Sequence, residues 1–372
     1  MTPGLSRYTD VFVVGGGPAG LAAAIAARRR GLTVTLADRS RPPIDKACGE
    51  GIMPDGVAAA CVLGISLEEG GARAFRGIRF CEGDVAAEAE FPEGVGFGMR
   101  RTALHELMVR RAEEAGVRLM WGAGVTGVER EGVRVEGELL RARWSVGADG
   151  GNSAVRRWAG LDAGRPARCR YGFRRHYRIA PWSDFMELHW GDGFQLYLTP
   201  VGDGEVCLVL ISSDHRLRLD HVLPRFPELA RRLSAAGAGS SERGAVTASR
   251  RLARVSRDNL ALVGDASGSV DAITGEGLCL LFQQAVALAD AMAAGNLDSY
   301  REAHRRLGRR PTWMANSMLL LDRRDGLRRR VLRAFAANPG LLSRMLATHV
   351  GELSCFDNAA NGVALGWRML TL

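Results

Sequence analysis

Val11-Phe12-Val13-Val14-Gly15-Gly16-Gly17-Pro18-Ala19-Gly20 decides how this chain begins to fold. Four consecutive apolar residues read as a short buried strand, and the glycines follow at once. Leu21 to Arg30 is alanine-rich and helix-forming, with Gly31 as its C-cap. Leu32 to Ala37 is a second strand, closing on Asp38. Strand, glycine turn, helix, strand, acid is the order of a dinucleotide-binding fold. Gly15 permits the tight turn, Gly17 lets backbone approach a pyrophosphate, and Gly20 lets helix pack on strand. Pro18 and Ala19 open a helix whose first N–H groups are free for phosphates. Asp38 is placed to accept hydrogen bonds from an adenosine ribose, with Arg39 beside it as a further contact.

A second glycine-rich segment lies far along the chain. Asn259 to Val263 is a buried strand ending in Gly264-Asp265-Ala266, and Thr274-Gly275-Glu276-Gly277 then precedes a long helix from Leu278 to Ala294. An acid at a strand end takes a hydroxyl of a cofactor chain, and a glycine-bounded helix start turns partial positive charge toward a flat ring or an anion. Together the two segments describe a chain that leaves a nucleotide-binding core and returns to finish it.

The bulk composition fits such a protein. The chain has 372 residues and is 47% hydrophobic, enough for at least one full core and room for two domains. No apolar run is long enough to span a membrane. Seven cysteines, none spaced as C-x-x-C, do not suggest a disulfide framework, and a reducing cytoplasm fits best. The formal charge of +9 comes from arginines spread over many segments, without the aromatic interleaving of a strand-binding surface. Nucleic acid is therefore not an expected partner.

Between the glycine segments lie three further features. The polar stretch Arg39 to Gly56 contains Cys48-Gly49-Glu50-Gly51, whose glycines suggest close backbone packing and whose Cys48 is either a small packing residue or a reactive thiol. Leu139 to Val146 reads as a strand delivering Gly147-Ala148-Asp149-Gly150, where Asp149 either caps the following helix or edges the cofactor site. From 171 to 212 the pattern changes to strand-length runs at Tyr171–Ile179, Phe185–Trp190, Phe194–Thr199 and Glu205–Ile211. Gly191-Asp192-Gly193 and Gly202-Asp203-Gly204 between them are hairpin turns. Residues 74–98 could add strands to this sheet, and Asp220 to Leu233 is expected as one helix crossed by Pro224 and Pro227. No group of residues suggests a bound metal.

With these segments in place, the chain resembles the flavoprotein hydroxylase superfamily, which includes aromatic monooxygenases, flavin-dependent halogenases and geranylgeranyl reductases. The resemblance rests on the N-terminal glycine turn, the Asp-Gly segment at 147–157 and the Gly-Asp segment at 264–277. It implies an α/β fold: a discontinuous Rossmann-like FAD-binding domain, an inserted antiparallel-sheet substrate domain and a helical C-terminal region. The implied boundaries are 1–73, 99–165 and 255–297 for FAD, 74–98 and 166–254 for substrate, and 298–372 for the tail. Gly15, Gly17, Pro18, Ala19 and Gly20 would hold the FAD pyrophosphate and Asp38, with Arg39, the ribose. Arg101 would contact the cofactor chain, Gly264 and Asp265 its ribityl or pyrophosphate region, and Gly275, Glu276 and Gly277 would approach the flavin ring. Asp149 belongs to a motif linked in that family to both FAD and pyridine nucleotide.

The resemblance further implies NAD(P)H as a transient reductant, since no second nicotinamide fold is evident, and a small hydrophobic or aromatic substrate. The strand carrying Phe194, Leu196, Tyr197 and Pro200, which are expected to line the substrate pocket, resembles the hydroxylases, which favours oxygenation of an aromatic or polyketide-like metabolite. The loop 45–51 and the segment 270–277 resemble the geranylgeranyl reductases instead, which gives the alternative: reduction of a carbon–carbon double bond, with Cys48 or Glu50 as proton donor. The Trp-x-Trp-x-Ile-Pro pattern of tryptophan-type halogenases is absent. The arginine-rich tail could cover the pocket, touch a membrane surface peripherally or meet another subunit, and the sequence leaves the oligomeric state open.

Overall fold

Ala37, Val14, Gly147 and Leu262 stand side by side as one rung of a parallel sheet. This is the central feature of the computed structural model, which describes residues 8–162 and 168–350. The strand order is Ser256–Arg257, Leu260–Leu262, Glu138–Gly147, Tyr8–Val14, Val34–Asp38 and Arg118–Trp121. Each inner strand comes from a different part of the chain, so the sheet closes only when the return segment has been made. A hairpin, Val125–Glu129 and Gly132–Val135, adds antiparallel to the edge of Glu138–Gly147.

Local chemistry explains the first crossover. The helix Pro18–Arg29 has proline in its first turn and a run of buried small residues, Ala22 to Ala24, Ala26 and Ala27. Alanine on nearly every side lets this helix pack against both the sheet and the return helix Gly277–Ala293. Leu21 and Ile25 are fully buried there, each contributing roughly 1.5–3 kcal/mol of apolar burial. Gly31, at φ +79°, ends the helix as its glycine predicts.

A second sheet runs in the order 237–238, Arg168–Arg178, Glu205–Ser212, Phe194–Gly202, Phe185–Gly191, Gly77–Glu82 and Val85–Glu90, with Arg243–Ser249 also paired to Arg168–Arg178. It is antiparallel except where Phe185–Gly191 meets Gly77–Glu82 in parallel. The exception arises because 77–82 belongs to a separate, earlier excursion of the chain. One face of this sheet joins the main core through Tyr197, Cys207, Val209 and Ile211. The other carries its own cluster, including Phe194, Leu196, Leu208, Leu219 and Leu229.

The expected helix from Asp220 to Leu233 is instead broken into Leu219–Val222, a 3-10 turn at Leu223–Arg225 and Pro227–Ser234. Pro224 and Pro227 each lack the N–H that a continuous helix needs, and each ring crowds the preceding turn. The loop expected to Gly56 gives way earlier to a helix, Pro54–Val62, with Pro54 in its first turn. Beyond Gly277–Ala293, four helices follow among the described residues, at Leu297–Leu307, Arg309–Arg323, Asp325–Ala337 and Pro339–His349. The second of these packs on Ala272–Thr274 in the return segment, and the last two cover the edge strand Val85–Glu90. The end of the tail, 351–372, with Cys355, lies outside the described residues. The architecture is thus an α/β fold with a discontinuous Rossmann-like region, mixed sheets and a helical C-terminal region.

Candidate active site

The shared rung places three loops in contact. An added Cβ on Gly15, which sits at φ +111°, would lie 2.5 Å from the Ala148 carbonyl oxygen, and one on Gly20 would lie 1.8 Å from the Gly15 carbonyl oxygen. Gly264, at φ +61°, meets Ala19 in the same way, at 2.5 Å from its Cβ. Those glycines are required by the protein's own backbone and side chains. Gly17, Gly275 and Gly277 differ: a Cβ on any of them would meet no protein atom within 4 Å. Gly275, at φ +69°, owes its glycine to a left-handed backbone, but packing does not explain Gly17 and Gly277, whereas a ligand lying close to the backbone would.

Asp38 braces the first turn. Its Oδ2 accepts from the Gly16 N–H (2.7 Å) and its Oδ1 from the Ser40 N–H (2.7 Å), leaving each oxygen a further lone pair. His105, not anticipated from the sequence, holds the same turn from below. Its Nε2 lies 2.8 Å from the Gly16 carbonyl oxygen, and its Nδ1 faces the Ile44 N–H. Burial pushes its pKa below the ordinary histidine value, which suits a neutral ring donating from Nε2. A lone histidine in the arginine-rich helix Arg101–Glu114 gave no sequence signal for this role. Arg39 is exposed beside Asp38.

Asp149 caps a helix: its Oδ2 accepts from the Ala154 and Val155 N–H groups at 2.7 and 3.1 Å. Its Oδ1, however, is buried without a hydrogen-bond partner, and so is Nε of Arg101. Leaving such atoms unpaired costs about 1–3 kcal/mol each. A cofactor carrying hydroxyls and phosphates would relieve both. Asp265 sits at the return turn, paired with Lys46 at 2.9 Å with both side chains about 40% exposed. Glu276 precedes the long helix Gly277–Ala293, which has no side-chain cap. Burial, with Asp55 nearby, raises its carboxyl to about 8, so it is largely neutral at pH 7. These residues form an anion-tolerant cradle with a neutral acid at the helix start, and they fit an FAD molecule.

The loop holding Cys48 lies on the second sheet. The Gly49 carbonyl oxygen accepts from Thr199 Oγ1 at 2.8 Å, and the Cys48 thiol faces the Glu50 N–H at 3.4 Å. Glu50 is 1% exposed and adopts φ +59°, a conformation unusual for a side chain other than glycine's. Its carboxylate explains why that strain persists. Oε1 accepts from the Arg101 N–H (3.0 Å) and from Arg174 (2.9 Å), while Oε2 lies 2.7 Å from His176 Nε2. Arg174 also grips Asp45 through two bonds of 2.9 and 3.0 Å, and His176 Nδ1 meets Ser240. Both oxygens of Glu50 are thus engaged in a buried ion network joining loop 45–50 to the sheet. Cys207 borders it, its thiol pushed well up by burial and by Glu50.

The strand Phe194–Gly202 divides the expected pocket residues by its alternation. Tyr197 faces the cofactor side, where its hydroxyl donates to the Ile273 carbonyl in the return segment. Phe194 and Leu196 point the opposite way, beneath the broken helices 219–234. They cannot line a pocket shared with Tyr197, because neighbouring residues of a strand face opposite sides. The Pro200 carbonyl oxygen packs against Gly98, where a Cβ would come within 1.8 Å. Arg170 joins Asp271 (2.8 Å) and Asp322 (3.0 Å), tying strand, return segment and tail together in one buried cluster.

Comparison with known proteins agrees with this geometry. Residues 8–173 match the FAD binding domain family. A menaquinone reductase of Mycobacterium tuberculosis is 29% identical over 298 residues, 72% of each chain. A digeranylgeranylglycerophospholipid reductase of Methanocella arvoryzae is 30% identical over 303 residues, 73% of this chain and 74% of the relative. A 6-methylpretetramide 4-monooxygenase of Streptomyces rimosus is 33% identical over 185 residues, but only 43% of this chain and 42% of that one. Among solved structures, a flavoprotein/dehydrogenase from Cytophaga hutchinsonii shares the fold with a TM-score of 0.85 at 16% identity, covering 98% of this chain and 99% of its own. The chain belongs to the FAD-binding flavoprotein oxidoreductase superfamily that spans monooxygenases and reductases. It is an FAD-dependent oxidoreductase.

Proposed function

We propose that this enzyme is an FAD-dependent reductase that saturates a carbon–carbon double bond in a prenyl-type chain. The observation that carries this reading is the extent of the likeness. Similarity to the two reductases runs over nearly three quarters of both chains, including the second sheet, whereas similarity to the monooxygenase stops short of half. The balance between hydroxylation and reduction, which the sequence tilted toward hydroxylation, turns to reduction on that ground.

The residues gathered at the rung would take the cofactor in the roles expected for them. Gly15, Gly17, Pro18, Ala19 and Gly20 would bind pyrophosphate, and Asp38 with Arg39 the ribose. Arg101, Asp149, Gly264 and Asp265 would hold the connecting chain, and Gly275 to Gly277 would lie along the ring. Segments 1–73, 99–165 and 255–297 would serve the cofactor, 74–98 and 166–254 the substrate, and 298–372 the covering of the site. Saturating a double bond places a hydride on one carbon and a proton on the other. FAD bound there and reduced by NAD(P)H would supply the hydride. The proton falls to Cys48, whose loop rests on Thr199 of the substrate-side sheet. Glu50 is committed to Arg174 and His176, so its part is to hold that loop. Tyr197, on the same face as Thr199, would border the chain being reduced.

The purified holoenzyme, given NAD(P)H or dithionite without oxygen, should convert geranylgeranyl lipid or menaquinone to more saturated product. Turnover only in the presence of O2, on phenolic or polyketide-like compounds, would return the protein to the hydroxylase reading.

A further inference from the structure

We propose that the outer face of the helix Arg309–Arg323 is a docking surface for an anionic lipid bilayer. The helix is two-sided. Met314, Met318 and Leu319 are buried in the main core, where the helix packs on Ala272–Thr274 of the return segment. Facing outward at helical spacing are Arg309, Trp313, Asn316, Leu320 and Arg323, with Arg324 just beyond. Trp313 is 50% exposed and Leu320 49%, two of the few large apolar side chains the surface shows among the described residues. Residues 305–333 carry nine exposed arginines and one exposed acid, Asp325, which pairs with Arg328. Arg309, Arg310, Arg323 and Arg324 make no ion pair among the described residues.

A tryptophan and a leucine lined up between clusters of unpaired arginines match the boundary of a bilayer. The ring and the leucine enter the acyl edge while guanidinium groups meet lipid phosphates. Basic residues near an anionic leaflet each strengthen binding about five-fold. A second copy of the chain is the poorer occupant, because a twofold contact would set these arginines against one another. The inference rests in part on the prenyl reading, since such chains dissolve in membranes. The helix would then lie between the lipid and the return segment of the site.

Flotation of the full-length holoenzyme with vesicles tests this directly. Binding to phosphatidylglycerol–phosphatidylcholine vesicles is expected at low salt, with little binding to phosphatidylcholine alone and loss in about 0.5 M NaCl. R309E/R310E/R323E/R324E should weaken binding more than about a hundredfold, and W313S/L320S should weaken it without changing the salt dependence. FAD content and circular dichroism of both variants should match the parent. Failure to float with anionic vesicles would overturn the proposal. So would tighter binding to RNA than to vesicles, or an oligomer that W313S/L320S dissociates. A protein that floats yet reduces no prenyl compound would sink the substrate reading and leave this surface standing.

Discussion

The strand-end rung and the second sheet solve the same problem, holding a reactive geometry, by opposite means. At the rung, backbone meets backbone: Gly15, Gly20 and Gly264 exist because a single added carbon would collide with Ala148, Gly15 or Ala19. At the sheet, charge meets charge: Glu50 keeps its strained backbone because Arg174, His176 and the Arg101 N–H converge on one carboxylate. The first solution is local and tolerates no substitution. The second is assembled from residues far apart in the chain and can be loosened in steps.

The largest expected effect separates the two kinds of glycine. Gly20→Ala should destroy FAD retention and much of the folded protein, because its Cβ would lie 1.8 Å from a carbonyl oxygen. Gly17→Ala should keep the circular dichroism and melting temperature of the parent yet weaken FAD binding at least tenfold, read by flavin fluorescence. Equal losses for both would erase the distinction between packing and ligand-facing glycines.

The ion network comes next. Glu50→Ala removes the partner that Arg174 and His176 share but leaves them Asp45 and Ser240, and should cost about 1–3 kcal/mol in urea unfolding. Glu50→Gln keeps an acceptor for the Arg101 N–H and should cost less. Were both substitutions neutral, the network would not be what holds the Cys48 loop. On the same sheet, Leu196→Ala should lose about 2–5 kcal/mol of stability with KM unchanged, since Leu196 packs beneath the broken helices. Tyr197→Phe should cost only about 1 kcal/mol while altering KM. A KM shift from Leu196→Ala would place the substrate on the other face.

The last effect concerns pH. The Glu276 carboxyl titrates near 4.5 when unfolded and at about 8 in the fold, so the folded state holds the extra proton between those values. Stability of FAD-free protein should therefore decline as pH rises from about 5 to 8. Glu276→Gln should flatten that slope, measured by denaturant titration at several pH values. A slope unchanged by the substitution would assign it to another group.

What the sequence disclosed follows the same division. The glycine turns were legible because their conformational demands act over a few neighbouring residues, and their order along the chain fixed the returning topology. Asp149 took the first of the two roles its residue type allowed, capping a helix through one oxygen and leaving the other without a partner. The Glu50 network was hidden because Arg174 and His176 reach it only through the pairing of distant strands. Phe194 and Leu196 were misplaced because alternation reveals two faces without saying which one the helices 219–234 will cover. His105 carried no motif at all; only the closeness of its ring to the Gly16 carbonyl reveals its task.

The central claim, that bound FAD serves a double-bond reduction completed by a proton from Cys48, is tested most directly by the product itself. Holoenzyme reduced with dithionite in heavy water, free of oxygen, should return a prenyl product gaining two hydrogens, both of them deuterium on carbon since dithionite supplies electrons alone, at a rate Cys48→Ala lowers by at least tenfold. A product that forms only with O2 and carries an added oxygen atom would contradict the account.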